Sequence, residues 1–384
     1  MKLALIRQRY NPYGGAERFV ERAMTALAAQ DVELSLLTRS WSGSPPDEGA
    51  QGEARMIRCD PFYIGRVWRD WGFARAVCDA VKSHNFDLVQ SHERIACCDI
   101  YRAGDGVHRQ WLLNRKRAAG LWERIALKLN PYHWYTLAAE RRLFRSPRLR
   151  AVICNSNMVK AELRRYFDLP ESKLHVVYNG VDLAAYHPGL RQTWRERKRK
   201  ELGIANASMV FLLVGSGFRR KGVPQLLRAM EAVREAHLVV VGADKELAHL
   251  QRSAAQAGLS ARVHFTGAQD EVQPWYGMAD CFVLPTLYDP FPNAALEAMA
   301  CGLPLVTSLQ CGAAEFVDSG VDGYLCQDPL DVVELARCLK LAAAPGQARR
   351  MGAAARLRVE AYGLEGMARQ LTRLYSDLLQ EKSR

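Results

Sequence analysis

The sequence predicts an α/β protein of two doubly wound, Rossmann-like domains facing a deep cleft. Three observations carry that prediction. Apolar, strand-like runs alternate with amphipathic, helix-like runs along nearly the whole chain, which is the pattern of parallel sheets joined by crossover helices. Each half opens with an apolar run and then a glycine-rich turn: Lys2–Ile6 before Gly14-Gly15, and Val210–Val214 before Gly215-Ser-Gly217. The length, 384 residues, exceeds what one hydrophobic core usually serves.

Taken in order, Lys2–Ile6 reads as a first strand, and Gly14-Gly-Ala-Glu17 leads into an amphipathic helix reaching about Ala29. Paired glycines let the backbone approach a ligand closely, although a Gly-Gly turn is more often only a tight turn. Val32–Leu37 and Phe86–Gln90 are further strands. Asp105 and His108 follow an apolar-rich stretch in a short polar turn, where an Asp followed by Gly is also ordinary turn chemistry. Ala151–Cys154 and Lys173–Tyr178 complete the strands of the first half, and Asn155-Ser-Asn157 between them supplies a helix cap.

In the second half, Val210–Val214, Leu238–Gly242, Val263–Gly267, Cys281–Leu284 and Leu305–Ser308 read as strands. The charged run Arg191–Glu201 reads as a solvated helix, and residues 331–384 are helical by pattern. The most informative stretch is Pro285–Pro304. Pro285 stops a buried strand, a polar loop carries Asp289, and Asn293 opens a helix with Glu297 one turn in, ending at Gly302 and Pro304. Two carboxylates thus flank the free N–H groups of a helix start, just past the carboxyl end of a strand, a layout suited to a pyrophosphate-bearing ligand. One more crossover with a surface acid is the plain alternative. Arg220-Lys221, after Gly215-Ser-Gly217, adds cations to a loop that can cradle phosphates.

Composition narrows the partners. The ten cysteines show no CxxC spacing and read as buried, reduced thiols. No apolar run approaches a membrane span, and the first residues are too short for a signal-peptide core, so a cytoplasmic, soluble or peripheral protein is expected. The net charge of +12 is concentrated. Residues 107–150 carry +9, residues 191–201 carry +4, and the remainder carries −1. The first segment interleaves Arg109, Arg115, Lys116, Arg117, Arg124 and Lys128 with Trp111 and Trp122. Trp122, Ile125 and Leu129 fall on one helix face. A basic amphipathic helix with interfacial aromatics suits an anionic membrane surface. The alternatives are a core-packing helix with a solvated basic face, or nucleic acid, for which no reader motif accompanies the charge.

The acid at Asp289, seven residues, Glu297 and the following Ala-x-Ala-x-Gly-x-Pro resemble the signature of the retaining glycosyltransferases of family four. The resemblance covers nearly the whole chain. Gly14-Gly15, Asp105, Arg220-Lys221 and Asp289…Glu297 occur in the family's order. Two positions depart from the usual pattern: Asp289 stands where Glu is common, and Pro292 where Gly is. The resemblance implies the GT-B architecture, with an acceptor-side domain over 1–181, a nucleotide-sugar-binding domain over 182–364, and a terminal helix, 365–384, returning to the first domain. It implies transfer of a hexose, with retained configuration, from a nucleotide diphosphate sugar (a UDP-sugar favoured) to a sugar hydroxyl. No metal or cofactor is implied, and the chain has no Asp-x-Asp motif to hold a metal.

Donor contacts are expected from Gly15, Arg220, Lys221, Gly267, Phe291, Asn293, Ala294 and Glu297. Asp289 would meet the donor-sugar hydroxyls, and Asp105, with His108 second, would stand near the reacting carbon. Gly14 and the basic aromatic segment are placed on the acceptor or membrane side. Ser216, where many members have Arg, points to the lipopolysaccharide core branch. The implied partners are therefore a glycolipid acceptor and the inner face of the cytoplasmic membrane, with no nucleic acid. A capsule or exopolysaccharide transferase acting on a lipid carrier, and a catalytically silent nucleotide-sugar-binding scaffold, remain the alternatives.

Overall fold

The computed structural model describes residues 1–10, 33–41 and 55–382. Gly14 and Gly15, the helix expected after them, Glu17 and Arg18 lie outside the described residues. The chain forms two compact units: Met1–Asn179 together with Leu364–Arg384, and Gly180–Gly363.

In the first unit the described strands are β1 (Lys2–Ile6), β2 (Arg9–Tyr10), β3 (Glu33–Thr38), β4 (Ser40–Trp41), β5 (Arg55–Arg58), β6 (Leu88–Ser91), β7 (Ile100–Arg102), β8 (Ala151–Cys154) and β9 (Leu174–Val176). Seven of them form a parallel sheet in the order β5-β3-β1-β6-β7-β8-β9, and β2 pairs with β4. Strand order reverses between β1 and β6, and Doubly wound sheets bind ligands beyond the carboxyl ends of strands at such a point.

Strand alternation splits the core over the two sheet faces. Ala4 and Ile6 join Phe73 and Val77 of helix Gly65–Ser83 and Leu163 of helix Asn157–Phe167. Leu3 and Leu5 face the other way, against Met367, Leu371, Leu374, Tyr375 and Leu378 of helix Leu364–Lys382. The Tyr375 hydroxyl donates to Gln90 at 2.7 Å, fixing that helix to β6. Each large apolar side chain so covered stabilises the unit by roughly 1.5–3 kcal/mol.

The second unit holds β10 (Met209–Val214), β11 (Ala236–Val241), β12 (Val263–Gly267), β13 (Cys281–Leu284), β14 (Leu305–Ser308) and β15 (Gly323–Cys326). All are parallel, in the order β12-β11-β10-β13-β14-β15, so this sheet reverses between β10 and β13. β13 is buried along its whole length, which explains its unbroken apolar sequence.

Two expectations need correction. Cys78, in helix Gly65–Ser83, is disulfide-bonded to Cys97, so not every cysteine is a free thiol; the other eight are free and buried. The pair was invisible in the sequence because nothing in a 19-residue separation announces it. Helix Leu190–Glu201 is not simply solvated either. Arg199 is fully buried and bonds Asp280 at 2.7 Å and the Met278 carbonyl at 2.9 Å. Arg195 and Arg191 reach the other Asp280 oxygen at 2.7 and 3.0 Å. Burial alone would raise the Asp280 carboxyl; Arg199 and Arg195 outweigh it and hold it below the ordinary carboxylate range. Half of this segment's six cations therefore serve an internal carboxylate.

Candidate functional site

At the carboxyl edge of the second sheet, the loop after β10 and the loop after β13 are laced together at the reversal point. Leu287 N–H donates to the Arg220 carbonyl at 2.8 Å, and Thr286 Oγ1 donates to the same oxygen at 2.8 Å. Gly222 has φ +80°, and a Cβ there would sit inside the contact radius of the Pro285 carbonyl oxygen. Only glycine lets the two loops approach this closely.

That lacing brings three charged groups together. Asp289 is buried, and its backbone is held between Gln310 and Gly312 by bonds of 3.0 and 2.8 Å. Its Oδ2 accepts from Lys221 Nζ at 2.7 Å and from Arg220 Nη1 at 2.8 Å. Arg220 also reaches the Tyr288 carbonyl at 3.1 Å. Burial would raise the Asp289 carboxyl, but Lys221 and Arg220 prevail and keep it below the usual range, so it is ionised near neutrality. Asp289 thus pins two cations whose other donors can meet an anion.

Helix Asn293–Ala300 starts beside this cluster, with Pro292 at its N-cap and no side chain capping it. Its first N–H groups are of the kind that suit an anion. Asn293 and Ala294 are half-buried in that turn, and Phe291 packs edge-on against Phe316 with ring centroids 5.5 Å apart. Glu297 is buried, and its Oε2 accepts from the Tyr276 hydroxyl at 3.0 Å. Gly267, with φ +73°, ends β12 at the same sheet edge, and its carbonyl accepts from Gly242 N–H at 2.8 Å. The expected donor residues Arg220, Lys221, Gly267, Phe291, Asn293, Ala294 and Glu297, with Asp289, therefore gather at one edge of one sheet.

The first unit places the remaining candidates. Asp105 lies in the turn after β7 and is 62% exposed at its side chain. It borders a cavity of about 440 Å³ whose walls also include Arg7, Asp70, Glu93, Arg94 and Tyr132. Half-buried Arg94 organises this turn: its Nε donates to Glu140 at 2.9 Å, its Nη2 to the Gly106 carbonyl at 3.3 Å, and its Nη1 lies 3.8 Å from Asp105. Arg94 and Glu140 were missed in the sequence. Arg94 does directly follow the Ser91-His92-Glu93 strand end, a position where doubly wound sheets carry function.

His108 is engaged differently. Its Nε2 shares a hydrogen bond with His133 Nδ1 at 3.1 Å, and its ring stacks on Trp111. Burial, then Arg94, lowers its pKa to about 3, so it is neutral. Asp105 borders the cavity and His108 does not.

The basic aromatic segment folds as helices His108–Arg117, Leu121–Leu129 and Pro131–Phe144. Leu127 packs with Leu112 and Ala119, so the second helix does have a core side. Its opposite side is open: Trp122 is 82% exposed, Leu121 70% and Leu129 62%, with Ile125 also out, and Trp134 of the third helix is exposed too. Arg109, Arg117, Arg124 and Lys128 are exposed as well. Arg115 and Lys116 are half-buried, Arg115 lying 3.4 Å from Glu123 and 5.2 Å over the Trp111 ring. Among the described residues no helix is long and apolar enough to cross a membrane.

Two doubly wound units, one with a cation pair and a helix start at its switch point, define a GT-B glycosyltransferase. Residues 13–185 match the family model described as Glycosyltransferase Family 4, and residues 195–358 match Glycosyl transferases group 1; the chain belongs to this family. It is 24% identical over 347 residues to the lipopolysaccharide glucosyltransferase WaaG of Escherichia coli K12, covering 89% of each chain. It is 27% identical over 403 residues to the D-inositol 3-phosphate glycosyltransferase of Streptomyces scabiei, covering 97% of this chain and 88% of that one. The crystal structure of WaaG superposes with TM-score 0.82 at 22% identity over 97% of this chain and 99% of that one. That of Anabaena HepE in complex with UDP-glucose gives 0.69 at 19% identity, over 98% and 100%.

Proposed function

We propose that the protein is a metal-independent, retaining hexosyltransferase that moves a hexose, with glucose favoured, from a UDP-sugar to a sugar of membrane-anchored lipopolysaccharide core. The single observation that carries the donor half is the Lys221–Asp289–Arg220 cluster beside the start of helix Asn293–Ala300. Leaving of a diphosphate builds negative charge on its oxygens. Two oriented cations and a helix start in a partly buried setting meet that charge without reorganising. Asp289 Oδ2 is occupied by the cations. Its Oδ1 faces the donor-sugar hydroxyls in this reading, and Glu297 accepts from the ribose hydroxyls.

The acceptor hydroxyl attacks the anomeric carbon on the face from which the diphosphate departs. The new C–O bond forms as the C–O bond to phosphate breaks, and the proton passes to the departing phosphate oxygen. Asp105, at the mouth of the cavity in the first unit, stands on the acceptor side of that carbon. The walls of that cavity pair carboxylates with tyrosines and arginines, the chemistry that recognises a polyhydroxylated ring. WaaG's name supports a lipopolysaccharide acceptor. The exposed Leu121, Trp122, Ile125 and Leu129 among arginines and lysines support docking of the enzyme on an anionic, cytoplasmic-side membrane surface.

The test is release of nucleoside diphosphate with a panel of donors and truncated core acceptors. Acceptor-dependent UDP release from UDP-glucose is expected. Binding of UDP-glucose with no turnover on any acceptor would instead establish a silent scaffold, and turnover only on a lipid-carrier acceptor would redirect the protein to capsule or exopolysaccharide synthesis.

A further inference from the structure

The second unit holds another cavity, of about 730 Å³, at the opposite edge of its sheet from Asp289. It opens where β10 begins, at Met209, and where Asp280 precedes β13, whereas Asp289 follows β13. This volume suits a small molecule. Its charged walls are unbalanced: Arg191, Arg195, Arg349 and Arg356 face one carboxylate, Asp280.

That carboxylate is already saturated. Asp280 Oδ1 takes both Arg195 at 2.7 Å and Arg191 at 3.0 Å, and Oδ2 takes Arg199 at 2.7 Å. Arg199 also bonds the Met278, Asn206 and Ser208 carbonyls within 3.0 Å. Arg191 also donates to the Ala279 carbonyl at 3.1 Å and Arg195 to the Asn206 carbonyl at 2.9 Å, so both guanidinium groups are held in place at the cavity wall. Arg356 is committed to Glu360 and to the Tyr186 and Ala300 carbonyls. Arg349 is exposed and has no acidic partner among the described residues. It projects from the first turn of helix Gln347–Val359, whose amino-terminal end adds positive potential to the same wall. Crowding guanidinium groups round one carboxylate costs repulsion and desolvation, and an anion of two or more charges relieves it.

We propose that this cavity is a binding site for a phosphate- or pyrophosphate-bearing small molecule, separate from the donor edge. Arg191, Arg195 and Arg349 supply its cations, and Pro188, Met209 and Leu357 supply apolar walls for the rest of the ligand. Tyr276 borders the cavity and also bonds Glu297, so the site touches the body of the donor edge through one side chain.

The probe is inorganic pyrophosphate, titrated calorimetrically at constant ionic strength. Lys221→Ala protein, in which the donor edge is weakened, isolates this site. One saturable binding event is expected to persist in Lys221→Ala. Adding Arg191→Gln and Arg349→Glu is expected to weaken it at least tenfold. Adding Arg350→Glu, the same charge reversal as Arg349→Glu but on an exposed neighbour outside the cavity, is expected to leave it intact. Should the multiple variant fail to fold, Arg349→Glu alone, at an exposed position, is expected to give a clear loss. Absence of saturable binding in Lys221→Ala, or equal weakening by Arg350→Glu, overturns the assignment.

Discussion

Lys221 Nζ and Asp289 Oδ2 lie 2.7 Å apart, both groups being buried, and they tie the loop after β10 to the loop after β13. Replacing Lys221 by Ala removes a cation that would meet the leaving diphosphate. We expect kcat to fall by about 10²–10³-fold with the circular dichroism spectrum unchanged. Near-normal turnover would remove Lys221 from the reaction.

Asp289→Ala should act on stability as well. It leaves Lys221 and Arg220 near each other without their carboxylate, at a cost of about 3 kcal/mol or more. The wild-type pair also sets a pH dependence. The Asp289 carboxyl titrates below its unfolded value, so its stabilisation is complete above about pH 4 and is lost as pH falls through the folded value. Urea unfolding of wild type and Asp289→Asn between pH 7 and 2.5 checks this: the curves should approach each other only in the acid range.

Asp105 and Arg94 test the first unit. Asp105→Ala should cut turnover by orders of magnitude at unchanged Tm, because the side chain is mostly exposed and its ion pair is long at 3.8 Å. Arg94→Ala should lower Tm too, since it strands buried Glu140. A large Tm loss in Asp105→Ala with preserved rate per folded molecule would invert these roles.

His108 gives a second pH signature of the opposite sense to a salt-bridged histidine. It is held neutral in the folded state, with its pKa lowered to about 3 by burial and then by Arg94. The unfolded chain binds a proton near pH 6.5 and the folded one does not, so stability should decline as pH falls below about 6.5. His108→Gln should flatten that part of the stability profile, measured by thermal unfolding.

The membrane reading makes a quantitative claim. Lys116→Gln, Arg117→Gln and Lys128→Gln together should weaken binding to anionic vesicles by about 3 kcal/mol, roughly two orders of magnitude. Trp122→Ser should weaken it without changing its salt dependence. Flotation at low salt is the measurement, and failure of the wild type to float would sink the idea.

Much of this was legible because the signals are local. The apolar runs of β1 and β13, the glycine-rich turn before Arg220-Lys221, and the helix opening at Asn293 each declare themselves within about ten residues. Asp289 and Glu297 stood out as a loop acid and a helix-start acid, and Asp105 was singled out by the family resemblance. What stayed hidden depends on partners far along the chain. Arg199 looks like any surface arginine until Asp280, in another element, closes on it. Arg94 likewise acquires meaning from Glu140, and Cys78 from Cys97. The departures at Asp289 and Pro292 were visible, but only the geometry shows that the shorter acid serves two cations at once.

The helix Leu364–Lys382 covers one apolar face of the first sheet, yet it is made after the whole second unit. Synthesis therefore runs against assembly. While residues 180–363 emerge from the ribosome, Leu3, Leu5, Leu36 and Ile153 wait with that side uncovered. The first unit to be translated is the last to close, and the nascent chain presents a sticky surface for the time taken to add nearly two hundred residues. At ordinary elongation rates that is about ten to forty seconds, a window in which chaperone binding competes with aggregation.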